Sequence, residues 1–121
     1  GEASSLKSLS VQEAQQIEYE LYDAIAIVDY NKGFIDNFVA MYISARCNDC
    51  NIPLFVDSKK IDLSCFPRAI IKINDLEHSN VKVYPSHYEL IVTHSSKKFC
   101  IPQRQLRCMM YAGLEIPFLL P

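Results

Sequence analysis

The sequence predicts one α/β domain built on a mostly parallel sheet with helices on both faces. Three short apolar runs carry that prediction: Asp23-Ala-Ile-Ala-Ile-Val-Asp29, Ile52-Pro-Leu-Phe-Val-Asp57 and Ala69-Ile-Ile-Lys-Ile73. Each is rich in β-branched residues and is followed at once by polar or charged residues. The first run is apolar at every inner position, as expected of a strand buried on both sides. Polar residues just beyond strand carboxyl ends mark the edge where open α/β sheets bind ligands.

The elements follow in chain order. Ser10 and Glu13 have the spacing of a capping box, and Val11, Ala14, Ile17 and Leu21 recur at helical intervals, predicting an amphipathic helix through Tyr22. After the first strand, Gly33 closes a turn and a helix is expected from Ile35 to Asp49. Phe38, Met41, Tyr42 and Ala45 are its expected buried stripe. Asn51-Ile52-Pro53 breaks that helix, and Pro53 suits the start of the second strand. Ile61–Arg68 reads as a short connection anchored by Phe66. Ala69–Ile73 is the third strand, and His78–Ser86 a short helix or loop. Tyr88–Thr93 is a fourth strand, His94–Lys98 a turn and Phe99–Ile101 a returning strand. Gln103–Ala112 is expected as a helix ending at Gly113, with Ile116–Pro121 an apolar tail. The phenylalanines and tyrosines are expected in the core.

A chain of 121 residues is one domain, small for a complete metabolic enzyme. Residues 1–9 are expected as a flexible start or a cloning remnant, and the missing initiator Met raises the expectation of a partial domain. Half the residues are hydrophobic and the formal charge is −2, so composition offers no electrostatic footprint for nucleic acid or an anionic membrane. No apolar run is long enough to span a bilayer, and no secretory signal pattern is present. A cytoplasmic location with reduced thiols is therefore expected. The five cysteines include Cys47-Asn-Asp-Cys50. That pair has redox or zinc spacing, but no second ligand pair follows, so the cysteines are expected to be structural.

The order Asp29-Tyr-Asn-Lys-Gly33, Asn51-Ile-Pro-Leu-Phe-Val-Asp57-Ser-Lys59 and Ile71-Lys-Ile-Asn74-Asp-Leu-Glu77 resembles the centre of PfkB, or ribokinase-like, carbohydrate kinases. The nearest pattern within that family is the heptose-7-phosphate kinase group, which carries D-Y-G-K-G, I-P-V-x-V-D-P-K and x-P-N-x-x-E in the same order. The resemblance spans roughly residues 10 to 94. It implies a ribokinase-like three-layer α/β/α fold, ATP and Mg²⁺ as cofactors, and a nucleotide or sugar phosphate bound at the strand ends. By position, Lys32, Gly33, Asn74 and Glu77 match the nucleotide and phosphate side, with Glu77 helping to organise Mg²⁺ indirectly. Asp29, Asp57 and Lys59 match the substrate side.

The sequence departs from the pattern in three places. Ile73 and Ser58 stand where the family has proline. The late G-A-G-D segment, whose Asp is the base and whose helix start binds the developing anion, has no counterpart among the three glycines Gly1, Gly33 and Gly113. The catalytic residues are thus unassigned. Two readings follow: a sugar-kinase-like domain, expected as a homo-oligomer or with its site completed by a partner chain or by sequence absent here, and a non-catalytic binding or assembly module derived from one. A metal or redox protein built on the cysteines is a third. Each site residue also has a plain structural role: Asp29 and Asp57 can cap turns, Asn74 and Glu77 can form a capping box, and the lysines can be solvated charges.

Overall fold

The computed structural model describes residues 8–94 in full and gives the backbone of the strands Cys108–Ala112 and Pro117–Leu120. The elements are α1 (Val11–Gln15), a 3-10 turn at Tyr19–Leu21, β1 (Ala24–Asp29), α2 (Asn37–Asp49), β2 (Leu54–Ser58), β3 (Ile70–Asn74), α3 (Asp75–Asn80), β4 (Glu89–Thr93), β5 (Cys108–Ala112) and β6 (Pro117–Leu120). They form a mixed α/β fold on a sheet of order β4-β3-β2-β1-β5-β6. All neighbouring strands pair parallel except β5 and β6. The expected mostly parallel sheet is therefore present.

Strand alternation sorts the sheet residues by face. Ile25 and Ile27 of β1, Leu54 and Val56 of β2, and Ile71 and Ile73 of β3 join one buried cluster with Val39, Ala40, Ile43 and Cys47 of α2. Val28, Phe55, Ile70 and Ile91 point the other way and are only partly covered or exposed. Phe66 is fully buried and anchors the connection between β2 and β3, as its sequence position suggests.

Several elements differ from the sequence reading. The first helix ends at Gln15, and the backbone reforms as the short 3-10 turn, although the Ser10–Glu13 capping box is present as expected. The buried stripe of α2 is Val39, Ala40, Ile43, Ser44 and Cys47. Phe38 and Met41 are instead 68% and 52% exposed, and Ala45 is exposed. Both faces of α2 carry apolar residues, so periodicity alone cannot select the inner one. Tyr30 and Tyr88 are likewise exposed, outside the expected aromatic core.

Cys108–Ala112 is a strand, where a helix is expected from the sequence. A short apolar run fits either state, and pairing with β1 from Ala24–Cys108 to Val28–Ala112 decides for strand. The apolar tail supplies β6, antiparallel to β5. The turn expected at His94–Lys98, the strand at Phe99–Ile101 and the helix start at Gln103 lie largely outside the described residues.

Candidate functional site at the strand carboxyl edge

The polar residues expected at the strand ends fall into two groups. Residues 57 and 58 are adjacent on β2, so alternation sends Asp57 and Ser58 to opposite faces.

The first group is built on Asp29, which pairs with Ser58 in the β1–β2 register. Its side chain is fully buried. Its Oδ1 accepts the Asn31 backbone N–H at 2.9 Å, and its Oδ2 accepts the Ser58 hydroxyl at 2.9 Å. Lys60 Nζ lies 3.5 Å from Oδ2. The Ser58 oxygen accepts the Lys60 backbone N–H at 3.1 Å. A buried carboxylate needs such partners, and here both oxygens have them within the protein. Asp29 therefore ties the ends of β1 and β2 together and shapes the turn that follows. Lys60 is folded inward, its side chain only 14% exposed.

The second group gathers Asp57, Lys59, Lys72, Asn74 and Glu77. Lys72 of β3 donates to Asp57 Oδ2 at 3.1 Å. Lys59 donates to Glu77 Oε2 at 2.7 Å and lies 5.9 Å from the centre of the Tyr30 ring, a cation–π distance. Asn74 caps α3: its Oδ1 accepts the Glu77 N–H at 2.8 Å, while Glu77 Oε1 accepts the Asn74 N–H at 3.0 Å. That reciprocal box fixes Glu77 and leaves its other oxygen directed at Lys59. Asn74 and Glu77 thus have the capping role that their spacing suggests, and the cap itself delivers Glu77 to the group.

Electrostatics bind this group together. Burial pushes the Asp57 carboxyl above its ordinary range, and the Lys72 ammonium only partly opposes the shift. The charge of Glu77 also raises Asp57, which places both carboxylates in one electrostatic field. Burial pushes Glu77 upward too. For Glu77, however, the Lys59 hydrogen bond, the Asn74 N–H and the two lysine charges outweigh it and leave the carboxyl below its usual value. The bond to Glu77 raises Lys59.

Lys72 is the member that the sequence reading missed. It sits inside an apolar strand run, and its only sequence signal is a charge where Val or Ile is expected. Lys32 and Gly33 stand apart on the exposed turn after β1. Gly33 has a φ of 88°, a left-handed backbone that glycine adopts without strain. Asn31 is also left-handed at 60°. Ser8 Oγ donates to the Gly33 carbonyl at 2.9 Å, and the Leu9 N–H donates to the Phe34 carbonyl at 2.7 Å, so the chain before α1 pins this turn.

Among the described residues, no set of three or more His, Cys, Asp or Glu side chains is placed to hold a metal. Cys47, Cys50 and Cys65 are free thiols, which gives the cysteine-centred reading no support there. Glu77 has both oxygens committed, to Lys59 and to the Asn74 N–H, and Asp57 Oδ2 is held by Lys72. A hard cation of the Mg²⁺ type would therefore reach these carboxylates only by displacing the lysines. Such an ion takes one or two carboxylates and completes its shell with water and ligand phosphate. No helix among the described residues is long and apolar enough to cross a membrane. No protein-family model, curated protein or solved structure matches the chain.

Proposed function

We propose that this chain is a ribokinase-like carbohydrate-kinase domain that binds a nucleotide or sugar phosphate at the carboxyl edge of its sheet. One observation carries the reading. Asp57, Lys59, Lys72 and Glu77 converge from β2, β3 and the start of α3 into two linked ion pairs at the strand ends. The order of the motifs along the sequence supports the same assignment.

In this reading Lys59 turns from Glu77 to a ligand phosphate, while Lys72 keeps Asp57 ionised and oriented. Asn74 holds Glu77 in place as its partner changes. Mg²⁺, when bound, would supply charge neutralisation at the phosphate, with Glu77 and Asp57 as its protein oxygens. Phosphoryl transfer requires a base and an anion hole for which these 121 residues offer no counterpart, so any turnover depends on a different chain, or on sequence outside these residues, to supply them.

The alternative is a non-catalytic binding or assembly module, favoured by the absence of any G-A-G-D counterpart. Calorimetric titration with ATP, ADP and a heptose phosphate, each with and without Mg²⁺, tests the binding shared by both readings. Saturable binding weakened by Lys59→Ala and Glu77→Gln is expected. No binding by any of these ligands would overturn it. A phosphoryl-transfer assay on the same samples separates kinase from module.

A further inference from the structure

We infer that a cavity at the opposite edge of the sheet, under the C-terminal end of α2, binds a small organic carboxylate through Arg68. The cavity holds about 240 Å³ and lies between the last turn of α2, the entry to β2 and the residues before β3. That volume falls below the roughly 300 Å³ of the smallest drug-sized pockets, so the ligand is a small one.

The lining sets the ligand's chemistry. Arg68 is the one charged residue on the wall, and its guanidinium has no ion pair or side-chain hydrogen bond among the described residues. The Asn48 and Asn51 side-chain amides add uncommitted donors beside it. The main-chain carbonyls of Arg46, Cys47 and Asn48 accept from the N–H groups of Cys50, Ile52 and Asn51, but they remain the negative end of α2, so Arg68 supplies the charge that holds the anion there. Ile52, Pro53 and Pro67 supply apolar wall. A charged fork, neutral donors and aliphatic surface together fit a planar carboxylate on a short aliphatic body.

The backbone adds a second reason. Asn51, at a φ of 55°, is the left-handed residue that ends α2, its N–H and that of Ile52 closing onto the carbonyls of Asn48 and Cys47. Arg68 has a φ of 64° with no helix end to explain it. Asn tolerates that region, but Arg is not among the residue types enriched there. The Arg68 conformation is held by its N–H, which donates to the Ser86 carbonyl at 3.2 Å. Strain kept at a residue with a free charged group is the pattern of a ligand clamp. The site shares no residue with the strand-carboxyl group, so it stands whether or not that group binds phosphate.

The test is a titration of the 121-residue chain with isobutyrate, followed by two-dimensional NMR, with inorganic phosphate in parallel. Saturable shifts of the Asn51 and Arg68 amide signals by isobutyrate are expected. Arg68→Asn keeps a residue suited to the left-handed backbone and removes the charge. It should weaken the affinity by about tenfold or more, the loss expected of a charge-assisted pair. Lys59→Ala should leave it unchanged. If Arg68→Asn does not fold, Arg68→Lys decides, since it keeps the charge and loses the two-pronged geometry, and it too should bind more weakly. No saturable shift, undiminished affinity in the deciding Arg68 variant, or a response to phosphate alone would overturn the assignment.

Discussion

Lys72 Nζ lies 3.1 Å from Asp57 Oδ2, tying the middle of β3 to the carboxyl end of β2. The two partners are unequal: the lysine side chain is 8% exposed and the aspartate side chain 24%. Removing the aspartate takes a short partner from a buried ammonium, whereas removing the lysine leaves a carboxylate that water can reach. Asp57→Asn should therefore destabilise the fold by about 1–2 kcal/mol, the loss of one charge-assisted hydrogen bond, since burial already opposes the Asp57 charge. Lys72→Met should cost clearly less. Urea unfolding of both variants measures the difference, and equal losses would contradict the asymmetry.

The pH dependence has a defined sign. The Glu77 carboxyl is held below its ordinary value near 4.5, so its stabilisation is present above that pH and is lost as pH falls through the depressed value. Asp57 is raised and acts oppositely: its ionisation in the folded state becomes unfavourable as pH rises from its ordinary 3.8 through the raised value. Glu77→Gln should flatten the acid side of the stability profile, and Asp57→Asn should steepen it. Melting temperatures across the acid range check both slopes.

Ser58 is the shared hydroxyl of the Asp29 group. In Ser58→Ala the buried Asp29 Oδ2 would keep only Lys60 at 3.5 Å. A loss of about 1–2 kcal/mol is expected, since a buried acceptor loses its short partner. Nearly unchanged stability would mean that Lys60 or water replaces the hydroxyl, and chemical denaturation reads the outcome directly.

The orientation of α2 can be tested by paired substitutions. Ile43 is fully buried and Phe38 is 68% exposed. Ile43→Ala should cost about 2–4 kcal/mol, while Phe38→Ser should stay within about 0.5 kcal/mol. If the sequence-based stripe were correct, the order would reverse. Measuring Phe38→Ser by light scattering as well would show whether that exposed ring contributes to self-association.

The cysteines should differ in reactivity. Burial pushes the Cys47 thiol up to about 12 and the Cys65 thiol up to about 11. Both should resist alkylation in the folded protein and react fully on denaturation. Cys50, only half-buried and 3.9 Å from Arg46 Nη2, should react before them. Mass mapping of alkylated peptides over time gives the order.

Much of the site was legible because its signals are local. Ser10 with Glu13 and Asn74 with Glu77 have the spacing that caps a helix, and both boxes form. Strand ends were readable from the change from β-branched to charged residues. Lys72 was not, because its role depends on a neighbouring strand fifteen positions away in sequence. The exposed face of α2 was hidden for a related reason. Phe38 and Ile43 are both apolar, and only packing against β1–β3 chooses between them.

The sequence by itself determined that short apolar strands alternate with capped helices and that charged residues gather where β1, β2 and β3 end. Those are properties of neighbouring residues, set by backbone preference and side-chain periodicity. The tertiary structure decided which of those charges meet. It sent Asp57 and Ser58 to opposite faces, gave Asp29 an internal partner for each oxygen, and brought Lys59 and Lys72 to the two carboxylates left near solvent. It also made Cys108–Ala112 a strand, since only pairing with β1 distinguishes that apolar run from a helix. Register between distant strands is a long-range fact, fixed when the sheet assembles and written in no single stretch of the chain.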